Sequence, residues 1–446
     1  MPAIITNAFR TYNADNFIGS FASNKVYLMI GKADAWSGAD LGQYTETSPS
    51  DTAIPTPIDT TVAPYIHHND MIAAKLISSS NVSHVIKRTD WTSGTVYTEY
   101  NHKQDDQIDQ TFFVMTDQYN VYKCISNYGG AASTVKPTGQ TTSITETSDN
   151  YRWKFMYEVQ QADVLKYVTT DWIPIKYLTA DDGTTQWDVQ QAGIDGALEH
   201  IDVTAGGTGY VNTNTGTAPA GSIATTIKLA ATASATDDIY NSMTVYISSG
   251  TGSGQIRVIT DYDGSTKTAT VSAWTANSGT IPDATSVYEI MPAVTITTTE
   301  GTAAAARVSS VVGGVVKKVS MTNVGTLYRS GTATITGGGG NGCTLEPRIG
   351  PKGGHGKNPK TELGGAYVMI NIRLVGTEGG DFVVGDDFRK VILITNPNAS
   401  GSAAVASTYT GAELDDDSGE QIYVEYRAPI NRASDQTEDV KLVVEF

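Results

Sequence analysis

The chain has few cysteines, a deficit of basic residues and no long apolar run. Its two cysteines, Cys124 and Cys343, lie far apart, and neither belongs to a CxxC or Cys/His cluster. This argues against a zinc site and a disulfide-built extracellular fold, and favours folding in a reducing cytoplasm. Thirty Lys and Arg face 47 Asp and Glu, so the net charge of −17 repels phosphate backbones and anionic membrane surfaces.

The sequence also shows no recognisable targeting segment or membrane-spanning segment. No apolar stretch approaches the ~18 residues of a membrane span. The first residues lack the basic and apolar regions of a signal peptide. The sequence therefore predicts a soluble protein with no nucleic-acid partner and no membrane partner.

What the chain does have is a composition typical of many short strands. Thr, Gly, Ser and Val are plentiful, whereas Leu, Lys and Glu are sparse. The length of 446 residues is enough for roughly three domains. We expect a mainly β fold with a few short helices, of the α+β class: a discontinuous body of antiparallel sheets with an inserted all-β region.

The first stretch, up to about residue 190, holds the helix signals. Residues 69–77 predict a short capped helix, because Asp70 precedes apolar residues at helical spacing. Residues 161–168 predict a second, weaker helix. In residues 151–159 aromatic residues alternate with Arg152, Lys154 and Glu158, which predicts a half-buried antiparallel strand.

The middle of the chain contains an internal repeat. Residues 201–210 and 319–328 share the pattern apolar-x-apolar-Thr-x-x-Gly-Thr-x-Tyr. Each copy has a later apolar-Thr-apolar-Thr strand followed by a small-residue segment, 294–306 for the first copy and 333–340 for the second. Residues 235–290 separate the parts of the first copy. They predict a nested β-hairpin module, with strands at Met243–Ile247 and Ile256–Val258 and a turn at Asp261–Gly264.

The last part returns to the composition of the first. After a glycine-rich hinge at 350–356, several patterned strands follow, and the chain ends on one of them. We therefore predict that 1–194 and 351–446 form a discontinuous body of one or two subdomains. Residues 195–350 form an inserted β domain.

No segment carries a convincing catalytic, cofactor or metal motif. Gly353–Asn358 fails the phosphate-loop pattern twice and is interpreted as a flexible linker. Asp261–Ser265 resembles the start of a calcium loop, but Ser272 stands where the closing glutamate belongs, so a hairpin turn is preferred. Asp415–Asp417 is interpreted as a solvated loop, with calcium binding as the alternative. Asp105–Asp106 is interpreted as surface charge, with the carboxylate pair of a glycosidase as the alternative. The histidines lack metal-binding spacing; they are His67, His68, His84, His102, His200 and His355.

Ordered blocks at both ends resemble one known family. The resemblance extends over the discontinuous body, roughly 60% of the chain. The blocks that carry it are Phe9–Thr11, His84–Trp91, Val121–Cys124, Asn150–Glu158, Phe388–Pro397, Ser418–Ile430 and Asp435–Glu438. They are similar to the gene-product-eight baseplate wedge subunit of T-even-type contractile-tailed bacteriophages. Residues 195–350 do not follow that family and resemble glycine-rich β modules of other phage tail proteins.

The resemblance implies a non-enzymatic structural protein of the virion, assembled in the host cytoplasm. Such a subunit pairs with itself, as a homodimer, and packs against other wedge proteins, and it moves as a rigid body when the tail contracts. It needs no cofactor, no metal and no small-molecule substrate.

Two other classes of function stay open. A virion adhesin would bind a host glycan through the inserted domain, and the candidate aromatic platform is Trp274 with Tyr246, Tyr262 and Tyr288. An enzyme such as a depolymerase would need acids clustered in a cleft.

Overall fold

The computed structural model describes residues 6–31, 68, 71–104, 110–211, 214–274, 280–375, 384, 387–410, 413–415, 418–435 and 439–446. Strands make up 45% of the chain and helices 10%, and the sheets are antiparallel. The predicted fold class, mainly β with a few short helices, is confirmed. Among the described residues, no helix is long and apolar enough to cross a membrane.

The chain divides into two compact units. The first, here the terminal unit, comprises Met1–Arg88, Val159–Tyr177 and Pro359–Phe446. The second, here the central unit, comprises Thr89–Glu158 and Leu178–Asn358. This division differs from the predicted boundaries, because residues 89–158 and 178–194 belong with the middle of the chain. Their aromatic-rich composition matches that of the ends and gives no sign of the packing partner.

Among the described residues, the terminal unit contains two larger sheets, one two-stranded sheet and three α-helices. The helices are α1 (Asn7–Ser20), α2 (Gln161–Tyr167) and α4 (Pro359–Leu363). One sheet has the order β24-β2-β1-β21-β25, with strands Thr408–Thr410, Met71–Leu76, Val26–Gly31, Asp387–Thr395 and Glu420–Asn431. The other has the order β26-β20-β3-β8, with strands Asp439–Glu445, Tyr367–Arg373, Val82–Lys87 and Trp172–Ile175. A 3-10 turn at Ser79–Asn81 precedes β3, and β22 (Asn398–Ala399) pairs with β23 (Ser402–Ala403).

The central strand β1 explains why this unit is well packed. All six of its residues are buried, and alternate side chains enter different clusters. Val26, Leu28 and Ile30 join the core that contains Val368 and Leu442, whereas Tyr27 and Met29 join a second cluster on the other face. A strand covered on both faces is therefore apolar throughout.

The helix predicted for residues 69–77 is wrong, and the one for 161–168 is confirmed. Residues 71–76 form strand β2, which pairs with β1 on one side and β24 on the other. Short apolar runs satisfy both helical and strand patterns, and here pairing with two neighbours decides the outcome. Residues 161–167 form α2 as expected.

The central unit contains a four-stranded sheet rich in aromatic residues. Its order is β4-β5-β7-β6, with strands Phe113–Met115, Asn120–Ser126, Arg152–Glu158 and Ile144–Glu146. The strand predicted at 151–159 is confirmed as β7, but it is not half-buried. Trp153 and Lys154 are 0% and 2% exposed, so both faces are covered. Helix α3 (Thr185–Gln191) packs against β7, and its Val189 joins the Trp153 cluster.

The rest of the central unit is an eleven-stranded sheet. Its main path is β11-β14-β13-β12-β15-β18-β19-β9, and β10, β16 and β17 pair off this path. In chain order β9 to β19 are Leu198–Thr208, Asn214–Thr217, Thr226–Lys228, Met243–Ser249, Ile256–Asp263, Thr268–Val271, Val287–Thr297, Ala305–Val312, Val315–Asn323, Thr332–Thr336 and Asn341–Ile349.

The predicted hairpin strands are present as β12 and β13, and β14 follows them, but the predicted turn is partly wrong. Asp261 to Asp263 lie within β13, and the residue of positive φ in the turn is Lys267, at 56°. Gly264 serves a different purpose, because a Cβ there would lie 2.4 Å from the carbonyl oxygen of Ala235. The glycine therefore permits a close approach of two backbones.

The internal repeat is present in three dimensions. Gly207 and Gly325 occupy equivalent motif positions and have φ of +62° and +61°. An added Cβ would lie 2.4 Å from a carbonyl oxygen at the first and 2.5 Å at the second. The strand pairings also correspond. Ala205 of the first motif pairs with Thr344, and the equivalent Asn323 of the second motif pairs with Ala305. A shift in register follows each of these two pairs.

The two copies exchange their parts. Tyr210, from the first motif, packs on Gly340, which follows the β18 strand assigned to the second copy. Tyr328, from the second motif, packs on Gly301, which follows β15. Strands β15 and β18 pair antiparallel with Thr295 opposite Thr334, two equivalent positions. The repeat is therefore an intertwined, quasi-twofold pair, and each half is completed by the other.

Candidate functional site

A cluster of charged side chains lies inside the central unit, between β9, β19 and the segment before β4. The antiparallel register places Arg348 of β19 opposite His200 of β9, and Glu346 opposite Asp202. Glu99 reaches the same point from a loop that is 249 positions from Arg348. The polar atoms of Glu99, His200 and Asp202 all lie within 4.8 Å of one another.

Arg348 holds the two carboxylates together. Its Nη2 donates to Oε1 of Glu99 at 3.0 Å and to Oδ2 of Asp202 at 3.2 Å. Its Nη1 forms an ion pair with Glu346 at 3.2 Å. The guanidinium is almost fully buried, so these carboxylates balance its charge where water contributes little.

Burial shapes the protonation of the cluster. Desolvation, followed by the negative charge of Asp202, raises the pKa of Glu99. Desolvation, followed by the positive charges of Arg152 and Arg348, lowers the pKa of His200 to about 3. His200 is therefore a neutral imidazole at pH 7.

Two carboxylates and a neutral histidine are a ligand set that suits a divalent cation. In this cluster, however, the guanidinium of Arg348 already supplies the positive charge and contacts both carboxylates. Acid–base catalysis would need the carboxylates of Glu99 and Asp202, and both are already engaged by these contacts with Arg348. The arrangement acts best as a buried clamp that ties the Glu99 loop to strands β9 and β19.

The glycine-rich segment 353–356 is neither a phosphate loop nor a flexible linker. The N–H of Gly353 donates to Oδ1 of Asp195 at 2.8 Å, and a Cβ on Gly354 would lie 2.2 Å from the nitrogen of Ile194. His355 is 2% exposed. The linker interpretation was wrong because these glycines allow close packing, which composition does not distinguish from mobility.

The aspartates considered as calcium ligands have structural partners. Asp263 accepts hydrogen bonds from the N–H groups of Ser265 and Thr266 within its turn. Asp415 accepts from the N–H groups of Ser400 and Gly401 at 2.9 and 2.7 Å. Asp416 and Asp417 lie outside the described residues, and so do Asp105 and Asp106, the pair considered for glycoside hydrolysis.

The aromatic residues considered for glycan binding do not form an exposed platform. Tyr262 and Tyr288 are 1% and 0% exposed and belong to one core cluster with Trp274. Tyr246 is half-buried beneath the guanidinium of Arg307, 4.2 Å from its ring centroid. These side chains stabilise the inserted strands.

Strand β25 of the terminal unit presents a row of exposed apolar side chains. This twelve-residue strand is at the edge of its sheet and pairs with β21; no other described strand pairs with it. Four large apolar side chains along it are exposed: Ile422 (40%), Val424 (37%), Tyr426 (56%) and Ile430 (39%). Arg427 is exposed as well and lies 3.5 Å from Glu425.

Sequence reasoning did not find the charged cluster. It predicted a strand at Ile422–Tyr426, which is confirmed as β25, but not its exposed position at the edge of the sheet. Glu99, His200, Asp202 and Arg348 are brought together only by the β9–β19 register, and no local motif marks them. For β25 a signal was present, since Ile422, Val424 and Tyr426 alternate. Alternation does not reveal whether the apolar face lies inside the protein or in solvent.

The comparisons with known proteins leave the identity of the chain open. The resemblance of the two ends to a baseplate wedge subunit therefore stays a prediction. A search with models of known protein families and a search of curated protein sequences found no match to this chain.

Proposed function

We propose that the chain is a structural, non-enzymatic subunit of the baseplate wedge in the tail of a contractile-tailed phage. It assembles in the host cytoplasm through protein–protein interfaces, with a second copy of itself and with other wedge proteins, and becomes part of the virion. On tail contraction it moves as a rigid body. The observation that carries this proposal is the exposed apolar edge strand β25.

An edge strand of this kind suits assembly. Twelve residues at about 3.3 Å each present roughly 40 Å of backbone edge to another chain. Proteins that work alone usually shorten, charge or cover such an edge, because it invites pairing. In β25 the charged Arg427 and Pro429, which has no N–H, lie toward one end, and the exposed side chains of Ile422, Val424 and Tyr426 are apolar. The exposed Ile422, Val424 and Tyr426 add apolar area that is removed from water on binding. All but the last residue of the strand also lies within Ser418–Ile430, the longest block of the resemblance.

The alternatives receive less support. The acids that an enzyme would use, Glu99 and Asp202, are both paired with Arg348. The aromatic side chains that an adhesin would present, Tyr262 and Tyr288, are in the core. A structural role requires neither of these groups to be accessible.

A matched pair of valine substitutions tests the proposal. Val424→Lys places a charge on the exposed face of β25, and Val405→Lys places the same charge at an exposed position (72%) elsewhere in the terminal unit. Each variant is co-expressed with the other tail proteins, and its share in sedimenting assemblies is measured. We expect Val424→Lys to reduce that share at least tenfold and Val405→Lys to leave it unchanged, with both variants folded.

Two results would contradict the proposal. One is absence of the wild-type chain from purified tails, detected by antibody. The other is turnover of a cell-surface polysaccharide by the purified chain that is lost in Glu99→Gln. Saturable glycan binding without incorporation into tails would favour the adhesin.

A further inference from the structure

A cavity of about 560 Å³ opens between the two equivalent strands of the repeat, β9 and β17. One wall is aliphatic and includes Val203, Val315 and Val319. The opposite side receives Arg152, from β7 of the aromatic sheet. This volume lies within the range of small-molecule sites, and a mainly apolar wall with a few polar groups is their usual composition.

Arg152 is the polar group that stands out. Its hydrogen bonds to the described residues both come from Nη1, which donates to the carbonyl oxygen of Glu199 at 2.8 Å and to Nδ1 of His200 at 3.2 Å. No described carboxylate lies within ion-pair distance of it. A partly buried guanidinium normally has an anionic partner, because desolvation of the charge is costly.

His200, which lines the same cavity, has a buried ring nitrogen without a hydrogen-bond partner among the described residues. Because its Nδ1 accepts from Arg152, the ring proton of the neutral imidazole is on Nε2. That nitrogen is buried and has no hydrogen-bond partner among the described residues. The residue is 8% exposed and lines the cavity.

The balance of charge in the cavity is positive, in contrast to the whole chain. Its cations are Arg152, Lys317 and Lys318, and its acids are Glu146 and Asp202. Glu146 forms an ion pair with Lys318, and Asp202 forms one with Arg348, which does not line the cavity. Among the described residues, Arg152 and Lys317 therefore have no carboxylate at ion-pair distance, and Glu146 and Glu199 interact with Arg152 only over a longer distance.

We propose that this cavity binds a small organic carboxylate. The carboxylate pairs with Arg152, and the apolar body packs against the aliphatic side chains of β9 and β17. A singly charged group fits better than a phosphate dianion, because Glu146 and Asp202 also face the cavity and repel a second negative charge. This proposal does not depend on the assembly role.

Calorimetric titration of the full chain tests it with three probes: benzoate, its neutral isostere benzamide, and inorganic phosphate. We expect saturable binding of benzoate, with benzamide and phosphate at least tenfold weaker. Arg152→Gln should weaken benzoate binding at least tenfold, since a charge-assisted pair is lost. Lys318→Gln should weaken it several-fold, because Glu146 is released. Lys136→Gln is the matched control, a lysine paired with Asp117 outside the cavity, and should have no effect.

Each outcome has a defined meaning. Absence of benzoate binding to the wild type, or equal binding of benzamide or phosphate, overturns the proposal. Unchanged benzoate binding to a folded Arg152→Gln variant overturns it too. If Arg152→Gln fails to fold, Lys318→Gln decides: weaker binding supports the site, and unchanged binding overturns it.

Discussion

Substitution of Gly340 by alanine should destabilise the central unit strongly. The φ of Gly340 is not in the left-handed region, so the cost is steric. The new Cβ would lie 2.3 Å from Cγ of Tyr210, whereas carbon atoms in contact are normally about 3.5–4.0 Å apart. The ring cannot retreat freely, since Gly207 and Gly338 enclose it and it is 6% exposed.

Two limits bracket the size of the effect. Overpacking of a core costs about 1–3 kcal/mol. Complete expulsion of the ring would return at least ~150 Å² to water, about 4 kcal/mol at ~25 cal/mol per Å². We therefore expect Gly340→Ala to lower the free energy of unfolding by about 2–4 kcal/mol.

Urea denaturation of the full chain, fitted with one transition for each unit, measures this change. The control is Gly331→Ala, also outside the left-handed region, where a Cβ would meet its nearest neighbour at an ordinary 3.7 Å. In a Tyr210→Ala background the cost of Gly340→Ala should nearly vanish, which a double-mutant cycle detects. Equal effects of Gly340→Ala and Gly331→Ala, or additivity with Tyr210→Ala, would refute the reasoning.

Three further substitutions follow from the buried polar groups. Arg348→Met leaves Glu99 and Asp202 without their shared cation, so the free energy of unfolding at pH 7 should fall by about 3–5 kcal/mol and partly recover in acid, as measured by urea denaturation. Burial lowers the pKa of His200 to about 3, so the unfolded chain binds this proton more tightly. The wild type should therefore lose up to ~1.4 kcal/mol per pH unit below pH 6.5, and His200→Gln should lose measurably less; identical slopes would contradict this. Asp149→Ala removes the acceptor of three backbone N–H groups, those of Thr134, Val135 and Tyr151, and should lower the melting temperature, with a cost of about 1–3 kcal/mol.

Local patterns in the sequence predicted local structure well where only one interpretation was available. The alternation of Met243, Val245 and Ile247 led to strand β12, and the repeated Gly-Thr-x-Tyr motif led to a repeated structure. Residues 71–76 were predicted wrongly because their helix-compatible spacing also fits a strand between two partners. The sequence could not predict that each tyrosine packs on the glycine loop of the other copy, since either glycine loop could accommodate either tyrosine.

The charged cluster and the cavity could not be predicted for a different reason. Arg348, His200 and Glu99 come from three distant segments, and their proximity depends on the register of β9 against β19. A shift of one residue would turn these side chains to the other face of the sheet. No local sequence pattern specifies that register, because the two strands are far apart in the chain. Arg152 was assigned to the solvent side of β7, and the covering of that side by another part of the unit was not visible in the pattern.

The exchanged tyrosines affect how this molecule can be made and altered. Tyr210 leaves the ribosome long before the loop around Gly340 has been synthesised, so its pocket does not exist while the intervening strands fold. The first half therefore stays incompletely packed until the second has been synthesised, and the two halves complete their packing together, late in folding. For the same reason, deleting one half, or transplanting one half alone into another protein, would leave a tyrosine ring without its glycine partner and a glycine loop without its ring.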